Sequence, residues 1–107
     1  MTSTHPLAGV YAAAVTPLRD PDSRLDLESV PVLLKFLANR GCHGAVLFGT
    51  TGEGPSFSPT EREALMRSAR AYRHQLRGFR LIAGTGTPSL SETIELTKLA
   101  FELGYDA

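Results

Sequence analysis

Residues 45–54, Ala45-Val46-Leu47-Phe48-Gly49-Thr50-Thr51-Gly52-Glu53-Gly54, decide how this chain is read. Four apolar residues in succession, with no polar alternation, describe a strand buried on both faces. The glycines that follow describe a sharp exit from it, because they let the backbone turn where a side chain would obstruct. The same pattern of apolar run and abrupt exit recurs on either side. Val10 to Val15 ends in Thr16-Pro17, and Leu81 to Ala83 ends in Gly84-Thr85-Gly86-Thr87.

Each run is followed by a polar loop and then by apolar residues at helical spacing. The first set is Leu27, Val30, Leu34 and Leu37; the second is Leu65, Ala69, Tyr72 and Leu76; the third is Leu96, Leu99, Ala100 and Leu103. Ser58-Pro59-Thr60-Glu61 supplies an N-cap, a proline at the first helical position and a capping-box glutamate, and Ser89-Leu90-Ser91-Glu92 repeats the box. Asp26 or Ser29 caps the first helix, with Pro31 close to its start. Gly41, Gly78 and Gly104 stand where left-handed C-terminal caps are expected.

Strand centres near residues 12, 46 and 82 give a strand-helix repeat of roughly 35 residues, long enough for parallel pairing through right-handed crossovers. Eight such units make a (β/α)8 barrel of about 250 residues or a little more. A small doubly wound sheet is the alternative, but it needs about five strands and three are present. The expected fold is therefore α/β, a TIM (β/α)8 barrel of which this chain covers about the first three βα units. Residues 1–107 read as the N-terminal part of a single barrel domain ending before strand four, with Gly104-Tyr105-Asp106-Ala107 as a helix cap and the first step into that strand. No linker, low-complexity tract or second domain interrupts them.

Eleven Lys and Arg balance eleven Asp and Glu. With no basic stretch interleaved with aromatics, neither nucleic acid nor an anionic membrane is an expected partner. No apolar run approaches the ~20 residues that span a bilayer, and Met1 to Gly9 lacks the charged start and apolar run of a signal peptide. The single cysteine, Cys42, has no internal disulfide partner and no metal-ligand spacing. A small molecule or another protein is the expected partner, and the cytoplasm the expected compartment.

In a parallel βα array, ligands bind at the carboxyl ends of the strands. The candidate residues are thus Thr16-Pro17, the loop Gly49 to Gly54, and Gly84 to Thr87. In the second loop, two adjacent hydroxyls and their amides can cradle a carboxylate or phosphate; a loop that merely joins strand to helix has the same composition. No Gly-Lys-Ser/Thr follows, so the loop is not a P-loop, and Gly84-Thr85-Gly86 lacks the third glycine of a dinucleotide fingerprint. Glu53 is expected to hold the loop by bonding backbone amides. His5, His43 and His74 read as structural or solvated, and Tyr11, Tyr72 and Tyr105 as packing residues. Arg62, Glu63, Arg67, Arg70 and Arg73 are assigned to the outer face of the second helix.

Gly9-Val10-Tyr11-Ala12-Ala13-Ala14-Val15-Thr16-Pro17-Leu18, Gly49-Thr50-Thr51-Gly52-Glu53 and Leu81-Ile82-Ala83-Gly84-Thr85-Gly86 together resemble the dihydrodipicolinate synthase/N-acetylneuraminate lyase family, in order and over essentially the whole chain. The resemblance implies a (β/α)8 barrel, commonly a homotetramer, that joins pyruvate to an aldehyde or cleaves the adduct, with no cofactor or metal. It further implies that a strand-six lysine forms a Schiff base with pyruvate. The positions matched by Thr50 and Thr51 bind the pyruvate carboxylate, and the Thr50 hydroxyl joins two tyrosines, placed after strands four and five, in a proton relay. Gly49, Gly52 and Glu53 shape the loop.

The only lysines, Lys35 and Lys98, fall on helices, and neither matches the strand-six position. By itself this stretch is expected to be inactive and aggregation-prone, with open sheet edges. The leading specific activity is 4-hydroxy-tetrahydrodipicolinate synthase, joining pyruvate and aspartate semialdehyde in lysine biosynthesis. Gly54-Pro55-Ser56-Phe57-Ser58 is less typical of those biosynthetic enzymes, and Pro59, Arg62 and Pro88 replace polar effector ligands of lysine-inhibited members. The rivals are a sugar-acid aldolase or dehydratase of the same family and a non-catalytic half-barrel binding module.

Overall fold

The computed structural model describes residues 5–107, so the part of the N-terminal segment before His5 lies outside the described residues. Three strands, β1 (Tyr11–Ala13), β2 (Gly44–Leu47) and β3 (Arg80–Ala83), alternate with three helices, α1 (Ser29–Asn39), α2 (Pro59–Arg73) and α3 (Leu90–Glu102). A single 3-10 turn, Gly54–Ser56, separates the β2 loop from α2. The sheet is parallel in the order β1-β2-β3, with Ala12 beside Ala45 and Ala45 beside Leu81. This is the α/β arrangement expected from the repeat.

Alternate strand residues Ala45, Leu47 and Leu81 are buried against Val30 and Leu34 of α1, Leu65, Met66 and Ala69 of α2, and Ala100 of α3 in one core. β1 is shorter than its apolar run, and Val10 and Val15 remain 64% and 58% exposed. The last backbone bond from β1 to β2 runs from the Ala14 amide to the Val46 carbonyl, 3.0 Å. Beyond it Thr16 precedes a proline, which has no amide to extend the ladder.

Helix starts follow the sequence unevenly. At α2 the capping box is complete: the Ser58 hydroxyl accepts from the Glu61 amide at 3.1 Å and the Glu61 carboxylate from the Ser58 amide at 2.9 Å. At α3 it is half made, because the Ser89 amide donates to the Thr87 hydroxyl instead, at 3.1 Å. Neither Asp26 nor Ser29 occupies the N-cap of α1; Glu28 does, with no side-chain bond. Asp26 still holds that start, accepting from the Ser29 hydroxyl at 2.6 Å and amide at 3.3 Å. Leu76 lies beyond the end of α2, in a turn tightened by three-residue bonds from Gln75 and Leu76 to Tyr72 and Arg73. Gly41 and Gly104, each just past a C-cap, have φ of 94° and 81° as the helix ends require. Gly78, φ 70°, is not the cap of α2, which ends at Arg73 with His74 as its cap, but sits in the turn into β3.

Past α3 the chain lies along β3. The Asp106 amide donates to the Leu81 carbonyl at 2.9 Å and the Ala83 amide to the Ala107 carbonyl at 3.0 Å. Tyr105 is buried and its hydroxyl donates to the Met66 carbonyl at 2.8 Å, fastening this segment to α2. Burial raises the phenol's pKa above its ordinary value, against a smaller opposing effect of Arg73.

Candidate functional site

The carboxyl end of β2 departs from extended backbone at once. Phe48 has φ 58°, the left-handed region, which costs a bulky L-residue about 1–2 kcal/mol and persists only where its surroundings fix it. Those surroundings are close. The Phe48 ring is buried, 5.6 Å from the ring of Phe57 and 5.8 Å from the Arg62 guanidinium. Its carbonyl oxygen is wedged between Gly54 and Gly84, where a methyl group on either would collide with it.

Past Phe48 the loop folds on itself. The Gly54 amide donates to the Gly49 carbonyl at 3.2 Å and the Glu53 amide to the Thr50 carbonyl at 3.1 Å. Glu53 shapes the turn through its left-handed φ of 55° and that backbone bond. The expected bonds from its carboxylate to loop amides are not among those of the described residues. Thr16, from the end of β1, donates its hydroxyl to the Gly52 carbonyl at 2.6 Å. Gly52 is buried beneath the Ala14 carbonyl, which a Cβ there would approach to 2.9 Å.

Thr50 and Thr51 are exposed, and among the described residues neither hydroxyl has a protein partner. Gly49, Thr50, Glu53 and Phe48 line an open cleft of about 450 Å³ whose far wall is Gly86 from the β3 loop. Thr51 and Gly52 stand outside its lining. The β3 loop is tied back to α3: the Thr85 hydroxyl meets that of Thr97 at 2.9 Å, and the Thr87 amide donates to the Thr93 hydroxyl at 2.9 Å.

Arg62 is not on the outer face of α2. It is 1% exposed, donating through one terminal nitrogen to the Gly54 carbonyl at 2.6 Å and through the other to the Gly84 carbonyl at 3.1 Å. Burial lowers its pKa, partly offset by the carboxylate of Glu92, and Nε has no partner. Position was the available signal, since Arg62 precedes Leu65 by three residues and so shares the apolar face. Arg70 stays exposed as expected while its Nε donates to the Leu103 carbonyl at 3.2 Å, and the half-buried Arg73 pairs with the Asp106 carboxylate at 3.0 Å. Glu63 and Arg67 form a surface pair, 2.8 Å apart.

The histidines stay away from this end. His43 accepts the Val10 amide at 2.8 Å where β2 begins, and His74 caps the end of α2. Among the described residues no group of three His, Cys, Asp or Glu could hold a metal, and no helix is long and apolar enough to cross a membrane.

Residues 6–107 match the Dihydrodipicolinate synthetase family. An uncharacterized DapA-like lyase of Chloroflexus aurantiacus is 42% identical over 92% of this chain and 32% of its own length. A 4-hydroxy-tetrahydrodipicolinate synthase of Herminiimonas arsenicoxydans is 41% identical over 94% of this chain and 34% of its own. The crystal structure of N-acetylneuraminate lyase from Mycoplasma synoviae superposes with a TM-score of 0.88 at 31% identity, over 98% of this chain and 36% of that one. The chain thus spans about a third of the length of the relatives it matches.

Proposed function

This chain belongs to the dihydrodipicolinate synthetase family and covers the first three βα units of that family's barrel; on that premise we propose that it is the carboxylate-binding part of a Schiff-base aldolase acting on pyruvate. The observation that carries the reading is the β2 loop, whose backbone is fixed at both ends while Thr50 lines an open cleft, its hydroxyl without a protein partner among the described residues. A hydroxyl so placed is free to bond a substrate and to pass a proton. Thr51, at the exposed tip, would add its hydroxyl and amide to the pyruvate carboxylate once the α-keto acid fills the cleft. Gly49, Gly52 and Glu53 set the turn that makes this possible.

The covalent step needs an amine. Lys35 on α1 and Lys98 on α3 are exposed on helices, so the amine that condenses with the pyruvate carbonyl, releasing water, would come from strand six of the barrel. These residues alone would hold the carboxylate half of the reaction and form no adduct. The partner aldehyde we favour is aspartate semialdehyde, making the protein a cytoplasmic 4-hydroxy-tetrahydrodipicolinate synthase of lysine biosynthesis, assembled as a homotetramer. A sugar-acid aldolase or dehydratase of the same family is the second reading, left open because Gly54-Pro55-Ser56-Phe57-Ser58 is less typical of the biosynthetic enzymes and an N-acetylneuraminate lyase superposes as closely as a dihydrodipicolinate synthase.

Thr50→Val tests the proposal in the protein expressed from its intact gene. Turnover should fall on the order of 100-fold, the scale of a lost proton relay, with the melting temperature unchanged. Unaltered turnover would remove Thr50 from the chemistry.

A further inference from the structure

Among the described residues Arg62 is buried with no carboxylate at ion-pair distance. Its bonds go to two backbone carbonyls and its guanidinium carbon lies 5.8 Å from the centre of the Phe48 ring, while Nε has no partner among the described residues. A buried cation held this way costs desolvation that an apolar side chain of similar volume would avoid, so stability alone does not explain it. Its location does. The Gly54 carbonyl belongs to the β2 loop and the Gly84 carbonyl to the β3 loop, the two loops that contribute to the cleft lining.

The bonds close a ring. The Gly54 amide returns to Gly49, the Gly54 carbonyl is held by Arg62, Arg62 reaches Gly84, and the Gly84 amide returns to the Leu47 carbonyl at 2.7 Å. Phe48 lies inside that ring, between Leu47 and Gly49, with its carbonyl pressed against both glycines. This over-determination is what keeps Phe48 left-handed and starts the loop in the direction that presents Thr50.

We propose that Arg62 is the positioning residue of the α-keto acid site: its guanidinium fork spans Gly54 and Gly84 and so fixes the separation of the two loops that wall the cleft. The inference rests on the carboxylate reading of the β2 loop. Arg62 touches no substrate and acts through the backbone. The fork is essential, because two divergent donors held in one plane can bridge two carbonyls, whereas an ammonium offers one compact point.

The test uses Arg62→Met and Arg62→Lys in the protein expressed from its intact gene, with kcat and the KM for pyruvate measured alongside thermal melting. Arg62→Met should raise that KM about tenfold or more, the scale of one lost bond of this kind, while kcat at saturating pyruvate changes much less. Arg62→Lys should recover only part of the loss. A folded Arg62→Met with the normal KM overturns the proposal, as does full recovery by lysine or a loss confined to kcat. If Arg62→Met does not fold, Arg62→Lys decides alone: a raised KM at near-normal kcat supports the proposal, and an unchanged KM overturns it. Failure of both variants to fold also overturns it, since the charge would then hold the fold and not the loops. Thr51→Ala separates the two readings. If it leaves the pyruvate KM unchanged, the carboxylate site itself is wrong; if it raises KM while the Arg62 variants do not, only the role of Arg62 fails.

Discussion

Two arginines clamp backbone oxygens at opposite ends of the same sheet. At the amino end Arg80 donates to the Ala8 carbonyl at 2.6 Å and the Tyr11 hydroxyl at 3.1 Å, in a part-exposed setting. At the carboxyl end Arg62 makes the same kind of contact sealed from water. Around Arg80 the special backbone is confined to glycines: Gly9 holds φ 146°, and a Cβ on Gly44 would collide with the Arg80 carbonyl and the Tyr11 ring. Around Arg62 stand a left-handed phenylalanine, a left-handed glutamate and two glycines that admit no side chain. Both ends pack glycines too tightly for a side chain, but of the two it is the carboxyl end that puts non-glycine residues in left-handed backbone and buries a charge to hold one loop shape. That division is the one expected of a βα array whose chemistry sits at the strand C-termini.

Substituting the glycines would sharpen the contrast most. Gly84→Ala drives a methyl group into the Phe48 carbonyl, and a destabilisation of roughly 2–4 kcal/mol is expected from overpacking against backbone that cannot move aside. Gly78→Ala, which meets no atom within 4 Å but holds φ 70°, should cost about 1 kcal/mol from backbone strain alone. Chemical denaturation of both variants measures the difference, and equal costs would erase the distinction between the two ends.

Tyr105 gives a pH-dependent effect of intermediate size. Its phenol is held neutral by burial, so its folded pKa exceeds the unfolded value. The corresponding stability is complete below the unfolded pKa of about 10 and is lost as pH rises above it. Tyr105→Phe should cost about 1 kcal/mol at neutral pH for the lost bond to Met66 and should flatten the alkaline loss seen by denaturation between pH 9 and 11. An unchanged alkaline slope would assign that loss to other groups. The smallest effect is expected from Arg80→Met, within about 1 kcal/mol, because its contacts are shared with water; a larger loss in thermal melting would make the amino end as constrained as the carboxyl end.

The repeat, the parallel order and the α2 capping box were legible because each depends on local spacing: apolar runs for strands, a 3.6-residue period for helices, Ser58 and Glu61 at fixed offset. Three features were not. Phe48 reads as one more strand residue, since nothing in Leu-Phe-Gly announces a left-handed turn whose cause is the distant Gly84 and Arg62. Arg62 was placed outside because a helix arginine is ordinarily solvated, and only its phase with Leu65 spoke against that. Asp26 was recognised as belonging to the start of α1, but the turn geometry that places it two residues before the Glu28 cap depends on how the chain returns from the Leu18–Leu25 bridge. Of the loop, the glycines and threonines were visible in the sequence; the anchoring through Thr16 and Arg62 was not.

The most direct measurement is a pyruvate titration of the protein expressed from its intact gene, followed by the backbone amide resonances. Saturable shifts at Gly49 to Gly54 and Gly86, with Gly41, His43 and Gly78 unmoved, are the predicted result. A response confined to the amino ends of the strands, or no saturable response in the β2 loop, would contradict the assignment of the α-keto acid site to this loop.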